Sequence, residues 1–313
     1  METTTKTKSD FPSPGLYHEI DPIDYFAVGL NRDNMEESVL SKSMLWDFAK
    51  NPRRWLNAPP FTGNKATEWG SLVDMLLLTP NSFKDTYAVT PEVYPHQAAK
   101  KGSPVTEKPW NNNATYCKEW KADQEGKEIV DTKTLISAGI AIKEIESNPV
   151  AQYMVKNGHP QVAMVARMES EGKEVTIKGL ADLVPYAKSD YGNALVDLKT
   201  TSKMESPTDL RYCVYRSGWF VQAALYLDLY NAVRPEDEDE RTDFWFIIQQ
   251  SAKPYEVVVL PLAQDAIMLG REMYQQSIKA WVEASTKGQW FSPFDTLDEL
   301  DLPERAYAEP VMP

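Results

Sequence analysis

The run from Gln161 to Val233 constrains this chain most. Three apolar-patterned segments follow one another: "QVAMVARMES" (161–170), "KEVTIKGLADLVPYA" (173–187) and "NALVDLKTT" (193–201). They are short and rich in Val, Ile, Leu and Ala, and the turn-forming stretches "SEGK" and "KSDYGN" separate them, which is the signature of successive β-strands. A long apolar segment, 206–233, comes next and opens on Ser206-Pro207, a helix-start pair. Two further strand-like segments, 243–251 and 255–262, precede a final helix over 263–287. The order strands, helix, strands, helix predicts an α/β domain.

Upstream the chain reads as helical. "LSKSMLWDFAKNPRRWL" (40–56) is a short helix that Ser41 or Ser43 can cap and Asn51-Pro52 ends. "ATEWGSLVDMLLLTP" (66–80) is a second helix with a buried stripe of Trp69, Leu72, Val73, Leu76 and Leu77, and Asp74 sits between those positions. Residues 81–115 are rich in Pro, Asn and Lys with weak periodicity, so a long loop is expected; its Lys100, Lys101 and Lys108 could touch a polyanion, although a solvated loop is the simpler reading. Helices over 114–126 and 131–158 follow, the second capped by Asp131. The expected organisation is a flexible tail (1–15), one domain (16–307) with its core over 159–287, and a C-terminal tail (308–313).

Composition narrows the function. A net charge of -13 argues against a nucleic-acid coat protein, but not against a nucleic-acid enzyme, since acids that hold metal ions count towards the total. The acidic stretches "RPEDEDER" (234–241) and "DTLDELDLPE" (295–304) read as solvated loops. No apolar run is long enough for a membrane helix, and the polar N-terminus lacks a signal-peptide core. Cys117 and Cys213 are too few for an iron–sulfur cluster and too far apart in sequence to indicate a disulfide scaffold or a structural zinc site, so a cytoplasmic protein is expected.

Within "NALVDLKTT", Asp197 and Lys199 share one strand face. Alone, the pair reads as a salt-bridged strand end. The preceding strand carries Asp182, and a hairpin through "PYAKSDYGNA" would set it beside Asp197. Two carboxylates in an apolar setting repel unless a cation compensates, and Mg2+ does so through hard oxygen ligands. In the following helix Gln222 and Tyr226 are four apart, hence on one face, with Arg216 and Trp219 upstream.

"IKGLADLV", "LVDLKTT" and "VQAALYLD" together resemble the core of the PD-(D/E)xK nuclease superfamily. More closely, the chain is similar to the RecE-type exonucleases (exodeoxyribonuclease VIII) of phages and prophages. That likeness extends to 40–56, "WGSLVDMLLLTPNSFKDTYAVTPE", "YRSGWFVQAALYLDLY" and "LDLPERA", so from about residue 16 to 307. It implies a three-layer, restriction-endonuclease-like α/β core, its mixed central sheet flanked by helices, plus an N-terminal helical part. It also implies Mg2+-dependent hydrolysis of linear double-stranded DNA from a 5′ end, with Mn2+ able to substitute, leaving 3′ single strands for recombination. Asp182 and Asp197 would hold the metal, with the Leu198 carbonyl as a further ligand. Lys199 would position the attacking water, and Arg216, Gln222 and Tyr226 would contact substrate or brace the site. A ring-shaped homo-oligomer, a single-strand annealing protein as partner and the bacterial cytoplasm belong to the same expectation.

The sequence departs from that pattern twice. The family's G-x-x-x-H helix is here Gly70 and Asp74, an oxygen ligand in place of a nitrogen one. The acid at the start of the first core strand is here Gln161, an accessory position without charge, and His159 beside it reads as a turn residue. An alternative therefore stands: a weakly active or inactive nuclease fold that binds DNA or a protein partner.

Overall fold

The computed structural model describes residues 10–18, 20–59, 63–97 and 104–302. The first part of the chain runs β1 (Gly15–Tyr17), α1 (Pro22–Ala27), β2 (Val39–Ser41), α2 (Lys42–Lys50), α3 (Pro52–Asn57), α4 (Lys65–Leu78), α5 (Phe83–Thr86), β3 (Tyr87–Thr90), β4 (Val93–Gln97) and β5 (Val105–Pro109). It continues through α6 (Thr115–Ala122), β6 (Glu128–Asp131), α7 (Thr132–Ser147) and α8 (Pro149–Lys156). The second part runs β7 (Gly158–Ser170), β8 (Lys173–Pro185), β9 (Ala194–Thr201), α9 (Pro207–Ser217), α10 (Trp219–Val233), β10 (Asp243–Gln250), β11 (Val257–Pro261) and α11 (Gln264–Lys287).

The central sheet has the order β1-β7-β8-β9-β10-β11, with β2 also paired to β8. It is mixed: β2–β8 and β9–β10 are parallel, the other pairs antiparallel. A parallel pair needs a crossover, and α9 and α10 supply it between β9 and β10. One core layer gathers Phe48 of α2, Leu225 of α10 and Ile278 of α11 against Met164, Ile177 and Leu195 of the sheet. The opposite layer sets Leu72 of α4, Ile145 of α7 and Met154 of α8 against Leu183, Val196 and Ile247. The result is the expected three-layer α/β arrangement. No described helix is long and apolar enough to cross a membrane.

The expected strands all form within a few residues of their predicted limits. Three expected helices are broken instead of continuous. The helix over 40–56 becomes β2, α2 and α3; Ser41 caps α2, and Asn51 both ends it and caps α3 over Pro52. Asn148-Pro149 splits 131–158, since Pro fits the first turn of a new helix but not the interior of an old one. Gly218, in a left-handed conformation (φ 62), splits 206–233.

The segment 81–115 is not the long loop its composition suggested. It holds α5, β3, which pairs β6 in parallel, and an antiparallel hairpin of β4 and β5. Every residue of β5 is exposed, so no apolar alternation marks it, and the aromatic packing that supports this region links distant positions such as Tyr94 and Tyr116. Lys108 lies exposed in β5; Lys100 and Lys101 lie outside the described residues. His159 is a strand residue of β7 opposite Val184, not a turn residue.

Candidate active site

Strands β8 and β9 are registered at Leu183↔Val196, so Asp182 stands opposite Asp197. The Asp182 Oδ2 accepts the Leu198 amide at 2.8 Å, taking the place of a partner-strand carbonyl. Asp197, almost fully buried, presents two differently used oxygens. Gln222 Nε2 of α10 donates to Oδ1 at 2.7 Å. Oδ2 pairs ionically with Lys199 Nζ and accepts no aligned hydrogen bond. The Lys199 ammonium also lies 6.0 Å from the centre of the Trp219 ring.

Two glycines set how closely helices approach this spot. A Cβ on Gly179 would lie 2.8 Å from the Tyr226 ring, so the glycine of "KGLAD" makes room for α10 and its tyrosine. On the other face, a Cβ on Gly70 would lie 3.2 Å from Thr200 Oγ1. Helix α4 thus rests closely on β9, and Asp74, one turn on, comes within electrostatic reach of Asp197 and Lys199.

The carboxylates perturb one another. Burial and then repulsion from Asp197 raise the Asp74 pKa to about 7, with Lys199 opposing. Burial, Asp197 and Asp74 hold Asp182 well above the usual carboxylate range. Burial disfavours the Lys199 charge, but Asp197, Asp182 and Asp74 outweigh it and raise its pKa, so it stays an ammonium at neutral pH. Burial, then the negative Asp197, pushes the Tyr226 hydroxyl up, so it stays protonated.

The structure therefore gathers Asp182, Asp197, Leu198, Lys199, Gln222 and Tyr226, with Asp74 facing them across β9. Gln161 lies opposite Asp182 in the β7–β8 register, at the one step of that ladder without a registered pair, with φ 51. Arg216 stands apart, exposed on α9 with its guanidinium 5.3 Å from the Tyr212 ring centre. One residue escaped the sequence reading: Lys42, at the start of α2. Its Nζ donates to the Ser217 carbonyl at 2.7 Å, and burial, then the Lys199 charge, lower its pKa to about 7. Nothing local in "LSKSM" signals a contact 175 residues away.

The residues fit a divalent cation in chemical kind. They offer hard oxygen donors, a buried Asp197 oxygen with no aligned hydrogen bond, and repulsion that a cation would relieve. Among the described residues no group of three or more His, Cys, Asp and Glu side chains is drawn together tightly enough to hold a metal. Mg2+ does not demand one, since it usually keeps several waters and takes one or two carboxylates.

The profile of a family described as a PDDEXK-like domain of unknown function (DUF3799) matches residues 41–293. No curated protein matches the chain. Among solved structures, the fold is similar to that of a candidate exonuclease from Eubacterium rectale, at 15% identity and TM-score 0.53, over 90% of this chain and 98% of that one. Rai1 from Candida albicans, solved with pU5 and Mn2+, aligns at 11% identity and TM-score 0.30 over 70% of this chain and 60% of that one. Rai1 from Scheffersomyces stipitis aligns at 12% and 0.29 over 84% and 71%; both likenesses are too distant to carry an argument. The profile match takes in α2, α4, the whole β7–β9 unit and α10, and on that span the chain belongs to the PDDEXK-like family DUF3799 and has a nuclease-like fold.

Proposed function

We propose that the protein is a metal-dependent exodeoxyribonuclease of the RecE type, acting on linear double-stranded DNA from a 5′ end and leaving 3′ single-stranded tails for recombination. The observation that carries this reading is the Asp182–Asp197 pair across β8 and β9 with Lys199 two residues on. Asp182 and Asp197 would hold Mg2+ or Mn2+, with the Leu198 carbonyl and Asp74 as further oxygen donors. When bound, the metal would lower the pKa of water and neutralise charge on the scissile phosphate.

The chain's own residues supply the rest. Gln222 fixes one Asp197 oxygen, which leaves the carboxylate a single orientation. The Lys199 ammonium can orient an attacking water and stabilise the developing phosphorane charge, because a fixed cation in a dry site acts strongly. Tyr226 braces Gln222 from one turn further along α10, and Gln161 lines the site opposite Asp182. Arg216, outside that cluster, would meet a phosphate beyond the scissile one.

A ring-shaped homo-oligomer that encircles DNA, a single-strand annealing partner that receives the 3′ tail, and action in the bacterial cytoplasm belong to the same proposal. A light-scattering mass of one chain at working concentration would count against the ring.

A second reading is favoured by the Asp197–Lys199 ion pair, which engages the oxygen a metal would need. On that reading the fold binds DNA or a protein without cutting. Digestion of linear duplex DNA with Mg2+ or Mn2+ separates the two. Wild type should degrade it, a 5′ label should be released first, and Asp197→Ala and Lys199→Ala should be slower by a factor of about 100 or more. Equal degradation by all three proteins, or none with either metal, would refute the enzyme reading.

A further inference from the structure

The geometry points to a second binding surface, on α9: a stacking face for the unpaired bases of a nucleic-acid strand. The choice of nucleic acid as occupant rests on the reading above; the face itself does not. Helix α9 is amphipathic in an unusual way. Leu210, Cys213 and Val214 turn inward, and Cys213 Sγ lies 3.5 Å from Thr201 Oγ1 at the end of β9. The outward face carries Arg211, Tyr212, Tyr215 and Arg216, at positions that share one side of a helix. The tyrosine residues are 55% and 61% exposed, so core packing does not explain them.

Both rings are nonetheless held. Tyr215 stacks on the buried Phe220 ring, 6.0 Å between centroids and 11° between planes, which leaves its other face open. Tyr212 lies against the Arg216 guanidinium. A flat ring fixed on one side and open on the other suits a base, and the flanking arginine residues suit the phosphates between bases. In a chain of net charge -13 this face carries two arginine residues and, one turn before Tyr212, the single acid Asp209. Asp209, at the start of the helix, is engaged with Ser206. The face also borders the candidate site. Ser217, at the end of α9, holds Lys42 Nζ, and Trp219 beyond Gly218 lies under Lys199. A strand leaving or entering the Asp182–Asp197 site would pass over it.

The test is binding without hydrolysis. Fluorescence anisotropy in EDTA would compare a labelled single-stranded oligonucleotide of about 20 nucleotides, within reach of a single-strand groove, with its matched duplex. Tyr212→Ala/Tyr215→Ala should weaken single-strand binding about tenfold or more and duplex binding far less. The double Phe variant should bind as wild type does, and the double Leu variant, apolar but unable to stack, should fail as the Ala variant does. Binding in EDTA is read without cleavage, so failure of the nuclease reading leaves this result legible. Three outcomes would overturn the assignment: single-strand binding by the Ala variant at wild-type strength, equal loss on duplex, or full binding by the Leu variant. The last would show that apolar contact, not ring stacking, holds the strand.

Discussion

Strands β7 and β8 are registered from Gly158↔Pro185 to Ser170↔Lys173, whereas β8 and β9 are registered at Leu183↔Val196. The long ladder satisfies its backbone with backbone except at the Gln161–Asp182 step, and it buries apolar side chains on both faces, with Lys178 the one charged residue buried among them. At the short one, a side chain does the work of a strand: Asp182 takes the Leu198 amide. The lesson is where polar chemistry can live in an apolar sheet. A carboxylate is tolerable there when it meets an amide that has lost its carbonyl partner, and the candidate site sits where the regular ladder stops.

Ile177, fully buried in the long ladder opposite Ala166, should cost about 2–5 kcal/mol when cut to Ala. Chemical denaturation would show that loss, while activity per folded molecule should stay near wild type.

The site side should respond to pH. The Asp74 pKa is raised to about 7, so the folded protein keeps a proton that the unfolded chain releases near the ordinary carboxylate value of about 4. The Asp74 share of the metal-free protein's stability should therefore be full below that value and fall as pH rises towards about 7, then level off, while Asp182, also raised, adds a fall of the same sign. Asp74 is partly exposed, so screening keeps its share of the fall to about 2 kcal/mol. Thermal melts in EDTA across that window should show the fall, and Asp74→Asn should reduce it, leaving the part that belongs to Asp182.

The smallest effect on stability belongs to Gln222→Leu. It removes the donor to Asp197 Oδ1 while Lys199 remains, so about 1–2 kcal/mol is expected in denaturation. DNA cleavage should drop more than stability does, because the carboxylate loses its fixed orientation.

What the sequence made legible follows from range. Alternation, turn residues and caps are local, so β7, β8 and β9, the Ser41 and Asp131 caps and the facing of Asp182 with Asp197 could all be read from it. The breaks at Asn148-Pro149 and Gly218 were visible as residues, but apolar spacing on both sides hid them. The β4–β5 hairpin left no trace because its strands are largely exposed. Lys42 was out of reach, since its partner Ser217 is set by how α2 packs beside the α9–α10 junction.

On the proposed function the Asp182–Asp197 gap would hold a divalent metal. Calorimetric titration of Mn2+ and Mg2+ into wild type and Asp182→Asn, with melting temperatures read alongside, tests it most directly. Wild type should bind metal and melt higher with it. Asp182→Asn should not bind, yet should melt no lower than metal-free wild type, because a neutral amide replaces a repelled carboxylate. Wild type that binds no metal, or a variant that binds equally well, would contradict the account.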